Sequence, residues 1–237
     1  MPILHRNRAA AGGSAGGAPT VIEQSFFNGS FTLNNSDIIG DLTVALVATR
    51  YFFIGSAPGP ANVEGFPVTT QENFFIGSAG IFTVYTVDAA TLINATLAAA
   101  GPTILFNQGS STAGGGYWLV TGANQAEIVR GIAITTFSSL ATAGSPVGLP
   151  FPGLFSGRGT SEADDLILAS INSGGDHNGL LDEVENLTRF TSGGSVPAEN
   201  QQSLFSGPSL GVNETYDYTH NANGFNVGSL LLSVAGV

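Results

Sequence analysis

Cysteine is absent from this 237-residue chain, and so is lysine; all six basic side chains are arginines. Without cysteine there are no disulfides, thiolate metal sites or cysteine nucleophiles. The length is sufficient to bury a core without such staples. Charge of either sign is sparse, at 10% of residues against roughly 25% in an average globular domain. Between Tyr51 and Ala126 only Glu64, Glu72 and Asp88 are charged. No apolar run approaches the ~18 residues of a membrane helix, so no membrane insertion is expected. The N-terminal MPILHRNR is followed by Ala, Gly and Ser rather than the apolar core of a signal peptide, and the chain reads as made in the cytosol.

Sparse charge is not disorder here, because 16 Phe and many Val, Ile and Thr supply the material of a core. A surface of Ser, Thr, Asn and Gly gives up the repulsion that holds monomers apart. Interfaces are depleted of Lys, Glu and Asp, so the uncharged body is expected to pack against other subunits. A net charge of −11, with two arginines in the N-terminal segment, speaks against nucleic acid as a partner.

Residues 1–18 read as a flexible arm carrying Arg6 and Arg8, candidates for assembly contacts. Residues 19–237 read as one β-rich domain, an antiparallel β-sandwich or jelly roll with one or two short helices. Asn28-Gly29 between apolar runs is a hairpin signal. The runs DLTVALVATRYFFIG, IFTVYTV, TILFN, GYWLVTG and EIVRGIAITTF are strand-like, and in the last Ile128, Arg130, Ile132 and Ile134 share a face at period two. DAATLINATLAAAGP predicts a helix with Asp88 as N-cap and Gly101-Pro102 past its end. Residues 138–160, rich in Pro and Gly, read as a surface loop or boundary. Residues 161–191 read as an acidic helical insertion, with Ser161 and Asp164 spaced like a capping box. FNVGSLLLSVAGV closes the chain as a strand.

The hexapeptide FFIGSA occurs at Phe52–Ala57 and again at Phe74–Ala79, 22 positions on. Each copy reads as a strand running into a turn, so the two are equivalent or adjacent strand ends of one sheet. Phe52, Phe53, Phe74 and Phe75 are therefore candidate rim or assembly residues. No longer stretch repeats at a fixed period, which argues against a solenoid or propeller.

One segment carries recognisable chemistry. Aligned on Gly179, Gly174–Glu185 resembles the twelve-residue calcium loop of EF-hands, and equally the Asp-rich calcium repeats of thrombospondin type 3 and dockerin kind. The resemblance implies Asp176 and Asn178 as ligands at positions three and five, the Leu180 carbonyl, Asp182 at position nine and a bidentate Glu185. Such alternation suits a hard cation that takes about six to eight oxygens. Position one is Gly174, which has no side-chain oxygen. The competing reading is an acidic helix start over LLDEVENLTRF. Calcium is thus the one cofactor the sequence suggests.

His5, His177 and His220 show no metal spacing, and there is no GxSxG elbow or phosphate-loop lysine. The expected function is accordingly structural and not enzymatic: a self-assembling virion subunit (capsid, decoration or tail) whose partners are copies of itself and other coat proteins. Two alternatives stand beside it. One is a cell-surface filament or adhesin subunit. The other is a calcium-dependent carbohydrate-binding β-sandwich using Tyr216, Tyr218 or Trp118.

Overall fold

The apolar runs Val44–Ala48 and Leu166–Ala169 alternate between two faces, as any strand must, yet both faces are buried. The computed structural model shows where the two sets go. It describes residues 17–38, 43–51, 61–75, 81–107, 114–137, 146–151, 156–173, 183–190, 202–219 and 227–237. The first half contains β1 (Thr20–Asn28), β2 (Phe31–Asn34), β3 (Val44–Tyr51), β4 (Asn62–Val63), β5 (Phe66–Pro67), β6 (Thr69–Phe75), β7 (Ile81–Val87), helix α1 (Ala89–Ala98), β8 (Thr103–Asn107) and β9 (Gly114–Thr121). The second contains β10 (Val129–Phe137), β11 (Pro146–Pro150), β12 (Ser156–Gly159), β13 (Leu166–Ser173), β14 (Glu183–Val184), β15 (Thr188–Arg189), β16 (Gln202–Pro208), β17 (Thr215–Thr219) and β18 (Val227–Val234).

Pairing is nested. In the first half β1 pairs with β9, β2 with β8, β3 with β7 and β4 with β5, all antiparallel. Contacts of β9 with β3 and of β8 with β4 then close an inner sheet, β1-β9-β3-β7-β6, and an outer sheet, β2-β8-β4-β5. A long antiparallel hairpin rolled up in this way is a jelly roll. The second half repeats it: β10 pairs with β18, β11 with β17 and β13 with β16, giving an inner sheet β12-β10-β18-β13-β16-β15 and an outer sheet β11-β17-β14. The chain is a tandem of two jelly rolls.

The likeness extends below strand order. Val21 faces Val120 and a one-residue bulge follows before Glu23; Val129 faces Val234 and a one-residue bulge follows before Gly131. The Asn35 amide donates to the Pro102 carbonyl, as Phe151 does to Glu214. Glu64 donates to Leu105, and Glu185 occupies the same place against Asp217.

The two inner sheets pack on each other. Between them lie Phe26, Leu46, Val84 and Trp118 from one roll and Ile132, Leu168, Leu204 and Leu232 from the other. The opposite face of each inner sheet is covered by its own outer sheet: Phe31, Val47, Tyr85, Phe106 and Tyr117 fill the first roll, with α1 contributing Leu92 and Ala95. Leu149, Ile167, Phe205, Tyr216 and Tyr218 fill the second. Four sheets thus enclose three apolar layers. Strands β7, β9, β13, β16 and β18 carry no charged residue, and most of their described residues are buried on both faces. Much of the charge-poor sequence expected to contact other subunits is therefore interior to the chain itself.

Several local expectations hold. Asp88 caps α1, its carboxylate accepting from the Thr91 amide at 2.7 Å, and the strands expected over IFTVYTV and TILFN are β7 and β8. Of the two FFIGSA copies, only Phe74 and Phe75 of the second lie within the described residues. Tyr51 at the end of β3 and Phe75 at the end of β6 both face Ile81, on either side of β7. β3 and β6 run the same way, and the first copy begins one residue past Tyr51.

Other expectations are corrected. The helix expected within 161–191 is strand β13 followed by the short strands β14 and β15. A run apolar at every position suits a helix or a strand buried on both faces, and only the second covering sheet decides. Ser161 is not a helix cap: its hydroxyl donates to the Gly211 carbonyl and accepts from the Asn213 amide. Residues 146–150 and 156–159 of the Pro/Gly-rich stretch are edge strands, where Pro146 and Pro150 interrupt no ladder on their outer side. Asn28-Gly29 does not close a hairpin. Gly29, at φ 78°, passes the chain from inner to outer sheet, which lets Phe31 stack on Phe27 at 4.6 Å and Phe106 at 4.8 Å.

The period-two face over 128–134 is broken by the bulge at Arg130. Val129, Ile132 and Ile134 end on the layer between the rolls, while Arg130 leaves it. Among the described residues no helix is long and apolar enough to cross a membrane.

Candidate functional site

Polar chemistry in the interior is confined to a few groups. At its bulge Arg130 forms an ion pair with Glu162 and lies 3.4 Å from Asp165 and 3.8 Å from Glu127. Asp165 is 1% exposed and also accepts from the Ser233 hydroxyl at 2.5 Å and the Glu162 amide at 2.9 Å. Burial works against the Arg130 charge, but the Glu162 hydrogen bond and the three carboxylates outweigh it and hold its pKa above the ordinary value. The cluster ties β10, the 161–165 turn and β18 together where the rolls join. Asp165 Oδ2 is shared by Arg130, the Ser233 hydroxyl and the Glu162 amide, the geometry of a clamp between chain segments.

The second group is Tyr117, whose phenol donates to Glu23 at 2.5 Å. Burial, then the Glu23 hydrogen bond and charge, push its pKa well above the usual phenol range. Phe31 stacks on the ring at 4.4 Å. The phenol is kept neutral and packed.

Of the sequence-predicted metal residues, Asp176, Asn178, Leu180 and Asp182 lie outside the described residues. Glu185 is exposed at the turn joining β14 to β15, and its backbone amide donates to the Asp217 carbonyl at 2.8 Å. The segment is preceded by β13 and followed by β14, so the helices flanking an EF-hand loop are not there, and the described part, 183–190, of the helix start expected over LLDEVENLTRF is strand and turn. Glu183, Glu185 and Asp217 line a cleft of about 610 Å³ with Arg189 and the apolar Leu187 and Phe205. Among the described residues no group of three or more His, Asp or Glu is arranged to hold a metal ion.

The predicted assembly residues Arg6, Arg8, Phe52 and Phe53 also lie outside the described residues. Phe74 and Phe75 stand in β6 opposite Phe82 and Ile81; their side chains lie outside the description. Trp118, Tyr216 and Tyr218 are all fully buried, so none can stack on a sugar as the carbohydrate-binding alternative requires. Trp118 lies in a strand buried on both faces, whereas Tyr216 and Tyr218 point inward from β17, whose other face is exposed.

What sequence reasoning missed is the pair of outer faces. On the first roll, Thr32, Asn34, Leu105 and Asn107 point outward, opposite the buried Phe31, Leu33, Ile104 and Phe106. No strand of this sheet carries an ionised residue. The carboxylates at its rim are engaged: Asp37 accepts from the Asn34 amide group and Glu64 from the Leu105 backbone amide. The outer sheet of the second roll presents Glu183 and Asp217 on its strands and Glu185 at its turn. The signal lay in TILFN and FTLN, short alternating strands whose outward residues are uncharged. No family model matches the chain, and neither a curated protein nor a solved structure is detectably similar to it.

Proposed function

We propose that the chain is a structural, self-assembling subunit of a virion coat, acting as a capsid, decoration or tail protein without catalysis. Jelly rolls serve viral coats, lectins and cupins alike, and a fold by itself does not choose among them. The observation that carries the choice is how the tandem spends its surfaces. Among residues whose burial is described, every aromatic but Phe66 and Phe190 is buried, and the inner sheets are consumed by packing on each other.

Edges are blunted as well. In the first inner sheet β1 and β6 each carry a bulge, at Ile22 and Gln71. The outermost strands of the second, β12 and β15, span four and two residues. β5 includes Pro67, and β11 begins and ends in proline. Bulges, brevity and proline are the devices that prevent strand addition, which weighs against a filament built by strand exchange. What remains for association is a pair of broad outer faces on a block-like chain, with other copies and further coat proteins as partners.

The test is light scattering and electron microscopy of the full-length protein over a range of concentration and ionic strength. With −11 charges per chain, assembly should strengthen as salt screens repulsion. A protein that stays monomeric throughout overturns the proposal.

A further inference from the structure

We draw no further inference here: the strongest candidate, the cleft of about 610 Å³ on the outer sheet of the second roll lined by Glu183, Glu185, Asp217 and Arg189, is a carboxylate cluster, and nothing in the structure shows what fills it.

Discussion

The two rolls share strand order, bulge position and turn hydrogen bonds, and differ in nearly every side chain that fills them. Val44, Leu46 and Ala48 of β3 correspond to Leu166, Leu168 and Ser170 of β13 by their pairing with β9 and β18. Tyr117 and Trp118 correspond to Leu231 and Leu232. The first roll has a ten-residue helix between β7 and β8, where the second passes from β16 to β17 through residues 209–214. The difference teaches that nested pairing needs apolar residues at inward positions and little more, so one topology tolerates two unrelated fillings. It also separates roles: the outer strands of the first roll are uncharged, while those of the second carry Glu183 and Asp217, and the second roll holds the clamp at the junction.

The sharpest way to break the comparison is at the matched bulges. Ile22 occupies the first and Arg130 the second. Arg130→Met should destabilise by about 3–5 kcal/mol, because it strands the buried Asp165 without its cation. Ile22→Ala, half-exposed, should cost under ~1 kcal/mol. Urea midpoints of the two variants check the contrast, and equal losses would refute it.

Next is the seam between the rolls. Gly116 of β9 matches Leu230 of β18, and a Cβ at Gly116 would come within 2.6 Å of Leu204 Cδ2. Gly116→Val should therefore cost about 1–3 kcal/mol by overpacking. Adding Leu204→Ala should recover part of that loss, a coupling a double-mutant cycle reads directly.

The smallest effect concerns Tyr117, matched by the non-ionisable Leu231. Its raised pKa means the folded state keeps the proton that the unfolded chain releases near pH ~10. The stability contribution is complete below that pH and declines as pH rises, by up to about 1.4 kcal/mol per pH unit. Tyr216, also raised chiefly by burial, acts in the same sense. Tyr117→Phe should cost about 1 kcal/mol at neutral pH, where Glu23 loses its donor, and should weaken the alkaline decline without abolishing it. Thermal midpoints between pH 8 and 11 (roughly the window set by the tyrosine pKa) check both parts.

Much of the fold was legible. Alternation in TILFN, the β-branched run IFTVYTV and the capped helix after Asp88 are local signals that burial did not override. The doubling of FFIGSA was visible, and its first copy lies outside the described residues. The larger duplication was invisible, because equivalent residues such as Trp118 and Leu232 share only apolar character. LILASI was ambiguous for a related reason: a strand covered on both faces loses the polar alternation that distinguishes it from a helix. The outer face around Leu105 was missed because nothing in FTLN or TILFN tells which of two exposed sheets will stand free of charge.

By itself, the sequence determined that this chain is β-rich, holds one capped helix, lacks thiol chemistry and carries too little charge to coat every strand. Those properties follow from side chains acting on their own backbone. Only the tertiary structure decided that the uncharged strands lie between sheets, that the halves are two copies of one topology, and that Arg130 meets Asp165. Each depends on which strand pairs with which across distances of up to a hundred residues and more, and burial of the whole, rather than any local preference, sets those pairings.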